Sequence, residues 1–291
     1  MEYHGNSLKN CQEGAVSIRD YLRIVKQPVR NIEMAYTTRL GGVSSSPYDS
    51  FNLGLHVGDD PADVHENRCK LLESLPGAEK IIWLNQIHSS IVFDADSAGE
   101  PATVPDADAT VTTRRNIVLA IMTADCLPVL LTSLDGRVVG AAHCGWRGLA
   151  AGVLRNTVNR MSVNPAEILA WLGPCIGNRV FEVGEDVRQA FITVNSENDD
   201  CFVRCVPDPV ICEKQYDPEK NCSVLLSPDG ISDASARYIA DLPKLAEKEL
   251  KRMGVNSVLF SGECTYSSPE YFYSYRRDRN TGRMASLIRI L

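Results

Sequence analysis

The chain has 291 residues, of which 44% are hydrophobic and 23% charged, and its formal net charge is −7. That length buries a sizeable core without disulfides. The acidic balance argues against a broad nucleic-acid or membrane-surface role, since both need a positive field.

Residues 1–16 read as a polar N-terminal extension with no apolar signal core. Residues 17–291 read as one catalytic domain. Strand character appears in LRIV, IEMAYTT, IIWLNQIH, SIVFDAD, ATVTT, IVLAIMT, PVLLTS, VVGAAHC, ILAWLG and SVLFSG, which are rich in Val, Ile and aromatics. The longest apolar run, Ile117 to Leu131, is interrupted by Thr123, Asp125 and Pro128, so it reads as two buried strands rather than a membrane span. Helical spacing predicts helices over Pro61–Leu75, Gly148–Arg160, Val183–Val194 and Ser232–Met253, the last closed by Gly254. Between the last two, residues 201–230 hold four cysteines and four prolines and read as a surface excursion. Cys201, Cys205, Cys212 and Cys222 lack the paired short spacings of a structural zinc site. The pattern predicts an α/β (mixed α+β) fold of layered sheets with flanking helices. With no signal segment, the ten cysteines belong in a reducing, cytoplasmic compartment, as free, metal-bound or catalytic thiols.

The chemistry concentrates in IVLAIMTADCLPVLLTSLDGRVVGAAHCGWRG. Asp135-Gly136 is a tight-turn dipeptide. If it closes a hairpin, Pro128 faces His143, and Cys126 shares the His143 face. A one-residue slip would separate them. A thiolate and an imidazole on one face can hold a metal ion or act as a nucleophile–base pair. His143 runs into Gly145, Trp146, Arg147 and Gly148, the start of a helix whose N–H groups favour anions. His88, in LNQIHSS, is placed at another strand end, with Gln86 on its face. Asp125 points away from Cys126 in a regular strand and reads as a structural acid. Asp106 and Asp108 read as turn and hydrogen-bonding residues rather than a carboxylate pair. His56, Asn52 and the Gly41-Gly42 pair read as loop-shaping, and Cys175 and Cys264 as buried thiols.

The segments TTRLGGVSSSPYDSFNLGLHVGDDP, LNQIHSS, DADATVT, TADCLPVLL, AAHCGWRGL, LGPCIG, FEVGEDV and ECTYSSPEYFYSYRRDRNTGRMASLI together resemble the laccase-domain family, whose bacterial members carry polyphenol oxidase and purine nucleoside phosphorylase names. The resemblance implies a single layered α/β domain related to cysteine hydrolases. It implies one zinc ion on His88, Cys126 and His143, with copper as the alternative metal. It implies phosphorolysis of adenosine, inosine and methylthioadenosine, with adenosine deamination beside it, so the expected partners are purine nucleosides and phosphate. In motif positions, Arg39 is expected to serve catalysis and bind substrate, and Gln86, Arg147 and Arg277 (or Arg276) to contact substrate. Cys144 stands where the family commonly has alanine. Three rivals remain: a metal-free Cys126/His143 amidohydrolase acting on a peptidoglycan precursor, a copper phenol oxidase, and a non-catalytic binding protein. Five histidines are too few for a multicopper centre. Oligomeric state is not legible.

Overall fold

The computed structural model describes residues 21–97, 103–205 and 236–291. The polar extension, Cys212, Cys222 and most of the 201–230 excursion lie outside them. No helix among the described residues is long and apolar enough to cross a membrane.

Two sheets face one another. The first has five strands in the order β1 (Leu22–Ile24), β2 (Ile32–Thr37), β14 (Met284–Ile290), β6 (Ile117–Thr123), β3 (Lys80–Ile82). The second has six, in the order β13 (Ser257–Phe260), β9 (Ile168–Leu172), β7 (Leu127–Ser133), β8 (Val139–Cys144), β5 (Ala109–Thr112), β4 (Val92–Asp94). Side chains alternate between the faces of a strand, so each sheet feeds two cores. Ile117, Leu119 and Ile121 of β6 meet Leu130, Val139, Ala141, Leu169 and Trp171 between the sheets. Val118 and Ala120 turn the other way, onto Phe51, Leu53 and Leu71 of α1 (Pro61–Glu73). On the far side of the second sheet, Leu127, Val129, Leu131, Ala142 and Cys144 pack on α3 (Val153–Met161) and α5 (Leu242–Arg252). The result is four layers, helix–sheet–sheet–helix, as expected for an α/β chain. The uninterrupted burial of β6, β7 and β8 follows from cover on both faces.

The ten expected strands all form, though IIWLNQIH contributes only Lys80–Ile82. Three helices differ from their predicted extents. Gly148–Arg160 is two helices, α2 (Trp146–Ala150) and α3, because Gly152 between them is left-handed at φ 89°. Val183–Val194 begins as strand β10 (Glu182–Gly184) before α4 (Glu185–Val194). Ser232–Met253 is helical only from Leu242. Asp241 caps that helix through the Lys244 N–H, with Pro243 in its first turn. Ahead of it, β12 (Arg237–Ala240) shows the period-2 burial of a strand and lies between β10 and β11 (Phe202–Cys205) in a small third sheet. The 201–230 stretch therefore starts as part of a sheet. At the helix end, Gly254 N–H bonds the Lys251 carbonyl and Val255 N–H the Leu250 carbonyl, with Gly254 at φ 95°, which closes α5 as predicted.

Candidate metal centre

The centre begins where the chain changes sheets. β6 ends at Thr123, β7 starts at Leu127, and Ala124–Cys126 cross between them with Asp125 at φ 93°. A non-glycine residue holds that conformation only when its surroundings impose it. The Asp125 carboxylate accepts from the Thr265 hydroxyl at 2.7 Å, the Ser274 hydroxyl at 3.0 Å and the Arg276 N–H at 2.6 Å. Its carbonyl accepts the Ile176 N–H at 2.9 Å. Asp125 is thus the structural acid its position suggested, and it fixes the backbone that carries Cys126. The β7–β8 hairpin has the anticipated register, Pro128 opposite His143. Its turn is wider than two residues: the last ladder bond runs from the Ser133 N–H to the Val138 carbonyl, and the Ser133 hydroxyl ties down the turn between them.

His88 is not on a strand end. β3 stops at Ile82, and His88 sits in the loop that follows, left-handed at φ 59°. Asp108, just before β5, imposes that shape. Its carboxylate accepts three successive N–H groups, from Ile87 at 3.2 Å, His88 at 3.0 Å and Ser89 at 2.5 Å, together with the Ser89 hydroxyl at 2.8 Å. The same carboxylate lies 2.9 Å from His143 Nδ1. One acid with no solvent exposure therefore orients two of the three cluster residues. The reading of Asp108 as a turn and hydrogen-bonding residue holds for its hydrogen bonds, but it did not anticipate that they orient His88 and His143. The signal was an acid flanked by ADATV, where burial on both sides demands partners.

The nitrogen and sulfur atoms of His88, Cys126 and His143 lie within 4.8 Å of one another, the one such cluster of metal-ligand side chains among the described residues. The two imidazoles stand edge to face, 5.0 Å between centroids. His143 is 4% exposed, whereas His88 opens to solvent. A Cβ on Gly145 would come 3.0 Å from the Cys126 sulfur and 3.2 Å from His88 Cδ2, so the glycine keeps this space clear. Burial opposes ionisation of the Cys126 thiol. The charges and hydrogen bonds of His143 and His88 outweigh it and bring the thiol down to about 6. Burial likewise opposes a charge on His143, but Cys126 and Asp108 push it up to about 9. A deprotonated sulfur, two imidazoles, a carboxylate behind one of them and an open side fit a three-ligand metal site.

The other expected residues are placed elsewhere or engaged. Gln86 grips the Met122 backbone with both ends of its amide, at 2.8 Å each, locking the His88 loop to β6 rather than presenting itself to a ligand. Arg39 bonds the Asp49 carbonyl, the Asp49 carboxylate and the Pro269 carbonyl and lies over the Tyr273 ring. Arg277 bonds the carbonyls of Thr265, Tyr266 and Phe272 and the Asp278 carboxylate. Both guanidiniums staple loops through these bonds. Arg276 bonds the Glu182 carbonyl. Arg147 is exposed, stacks on Trp146, and makes no ion pair among the described residues. Cys144 is fully buried against the helices, and burial, with the charges of Cys126 and Asp108, raises its thiol far above the ordinary range, so it is not an oxidation-prone neighbour. Cys175 is buried as expected, while Cys264 is half-buried and accepts the Gly177 N–H.

The model of the multi-copper polyphenol oxidoreductase laccase family matches residues 33–291. The chain belongs to that family. Among its relatives, the purine nucleoside phosphorylase YfiH of Escherichia coli K12 is 42% identical over 259 residues, covering 89% of this chain and 94% of the relative. A purine nucleoside phosphorylase of Pseudomonas aeruginosa is 43% identical over 257 residues, covering 88% and 93%. A Neisseria meningitidis protein of known structure superposes with a TM-score of 0.78 at 42% identity, covering 93% of this chain and 99% of that one. YlmD of Geobacillus stearothermophilus gives 0.75 at 29%, covering 94% and 97%. Laccase-family membership thus comes with relatives named for nucleoside phosphorolysis, and among the described residues one cluster, His88, Cys126 and His143, could hold a metal ion.

Proposed function

We propose that this chain is a zinc-dependent purine nucleoside phosphorylase acting on adenosine, inosine and methylthioadenosine, with adenosine deamination as a second activity. The observation that carries the reading is the His88–Cys126–His143 cluster, backed by Asp108 and open on the His88 side. In phosphorolysis the C1′–N9 bond breaks, a phosphate oxygen bonds C1′, and the base leaves with a proton. Bound zinc supplies Lewis acidity at the site. The chain's own residues do the rest. Asp108 keeps His143 Nδ1 engaged, so that Nε2 faces the ligand position. The Gly145 gap admits the ion, and Arg147, which meets no carboxylate among the described residues, is retained as a substrate contact. A cytoplasmic setting keeps Cys126 reduced.

The decisive assay incubates pure protein with inosine or adenosine, with and without phosphate, and resolves the products by chromatography alongside metal analysis. Free base that appears only with phosphate, and stoichiometric zinc, support the proposal. Absence of nucleoside turnover in zinc-loaded protein sinks it. One second reading has support in the geometry: Cys126, His143 and Asp108 also resemble a thiol–imidazole–carboxylate relay. It requires metal-free protein to cleave an amide, and tight zinc would remove its nucleophile.

A further inference from the structure

Among the described residues, several buried and half-buried arginines meet a carboxylate. Arg289, 2% exposed, pairs with Glu33 at 2.9 Å, and half-buried Arg188 pairs with Glu185 and Asp199. Arg68 and Arg283, near the metal centre, do not. Arg68, on α1, is half-buried with its guanidinium 4.0 Å above the Trp83 ring. Its Nε and Nη2 donate to the Leu53 carbonyl at 2.9 and 2.7 Å, Nη2 also reaches the Met122 sulfur, and no carboxylate meets it among the described residues. Arg283, one residue before β14, is half-buried, and its Nη1 donates to the Thr281 and Gly282 carbonyls at 3.0 and 2.9 Å. Among the described residues Arg68 Nη1 and Arg283 Nε and Nη2 have no acceptor.

Both arginines border the same short stretch. Arg68 holds the Leu53 carbonyl. The Arg283 N–H bonds the Asn52 side chain, the Arg283 carbonyl accepts the Leu53 N–H at 3.2 Å, and its Cγ would stand 2.8 Å from a Cβ on Gly54. Met284 pairs with Thr123 and Ala285 with Met122, so Arg283 and Arg68 flank the end of β6, three residues before Cys126. His56 lies two residues past Gly54. Burial and the nearby charges of Arg283, Arg68, His143 and His88 hold its imidazole below the ordinary value. Burial brings Arg68 down to about 10, and it lowers Arg283 despite the opposing charges of Cys126 and Asp125. Among the described residues no carboxylate contacts either guanidinium, and both keep donors without an acceptor.

We propose that Arg68, Arg283 and His56 form an oxyanion subsite beside the His88–Cys126–His143 centre that takes inorganic phosphate. The identity of the anion rests on the phosphorylase reading, while the existence of the subsite rests on these residues. It also replaces Arg39 and Arg277, whose donors are engaged, as the source of phosphate binding.

The test uses zinc-loaded protein and the variants Arg68→Gln and Arg283→Gln. Equilibrium dialysis with radiolabelled phosphate, without nucleoside, measures the anion alone. Steady-state kinetics with inosine then separate KM for phosphate from KM for inosine. Each substitution is expected to weaken phosphate binding roughly tenfold or more, the scale of losing a hydrogen bond to a charged group. KM for phosphate rises in step, with inosine KM and zinc content unchanged. Wild-type phosphate affinity in both variants, or no phosphate binding by the wild type, overturns the subsite. Phosphate binding that the substitutions abolish, in a protein that cleaves no nucleoside, leaves the subsite standing and removes the phosphorylase reading. Should a glutamine variant fail to fold, Arg68→Lys and Arg283→Lys decide the matter by the same two measurements, since they keep the charge and lose the fork.

Discussion

Asp108→Asn exchanges one oxygen for an NH2 group and removes one charge, yet it disturbs two arms of the metal centre at once. The native carboxylate serves five donors. The Oδ1 atom takes the His88 N–H and His143 Nδ1, and Oδ2 takes the Ile87 N–H, the Ser89 N–H and the Ser89 hydroxyl. An asparagine keeps one acceptor oxygen. With its NH2 in the Oδ1 position, it faces the His88 and His143 donors. In the Oδ2 position it faces two backbone N–H groups, and only the Ser89 hydroxyl can turn away. Either orientation leaves two donors without an acceptor around a side chain that has no solvent exposure. Each such orphan costs about 1–3 kcal/mol. His143 can relieve one clash by moving its proton to Nε2, but that removes the lone pair a metal needs. Loss of such a supporting group lowers metal affinity about 10–100-fold, or ~1.4–2.8 kcal/mol. Competition with a chromophoric chelator at neutral pH measures the affinity, and thermal unfolding with and without zinc measures the coupled stability. Zinc affinity equal to that of the wild type in the asparagine variant would refute the assignment of Asp108.

Gly145→Ala is expected to reduce zinc affinity and nucleoside turnover together while leaving unfolding of the zinc-free protein nearly unchanged. Gly145 has an ordinary backbone conformation at φ −60°, so only the added Cβ, close to Cys126 and His88, carries the effect; full zinc loading would contradict it. Cys126 titrates near 6 and His143 near 9, so between these values the metal-free site is a thiolate–imidazolium pair holding one proton. Zinc must displace that proton, so calorimetry in buffers of different ionisation enthalpy should find about one proton released per zinc, and affinity should climb about tenfold per pH unit across this window. The pair also stabilises the metal-free fold. The depressed Cys126 value contributes fully above 9 and is lost as pH falls through 6, while the raised His143 value contributes fully below 6.5 and is lost as pH rises through 9. Leu130→Ala, between the two sheets with no solvent exposure, should cost about 2–5 kcal/mol in urea unfolding, and a smaller loss would mean that this core collapses to fill the gap.

The strands and the hairpin register were legible because they depend on neighbours within about twenty residues. Alternating burial and the Asp-Gly turn carry that information locally, and they put Cys126 and His143 on one face. His88 joined the cluster only through family resemblance, and its loop was mistaken for a strand end because the contact that shapes it comes from Asp108, twenty residues on. The contacts of the arginines were hidden for a related reason. Arg39 meets Pro269 and Arg277 meets Asp278 and three carbonyls, so which guanidinium is stapled and which is free depends on loops far apart in sequence. Arg68 and Arg283 drew no notice, since nothing in their immediate sequence marks a missing counter-charge. The three short strands β10, β11 and β12 escaped because one stretch of apolar residues can satisfy a strand and a helix in succession. The Asp241 cap and Pro243 were the available punctuation.

β14 emerges from the ribosome after every other described strand, yet it lies in the interior of the five-stranded sheet, bonded to β2 on one side and β6 on the other. Ser274 and Arg276, which hold Asp125 and thereby Cys126, arrive only slightly earlier. During synthesis β2 and β6 therefore wait with unpaired edges, and the metal centre lacks its backbone clamp until the final segment docks. Such late, long-range closure slows folding and exposes sticky edges to aggregation. A chain without residues 274–290 would leave the β2 and β6 edges unpaired and Asp125 without its Ser274 and Arg276 partners.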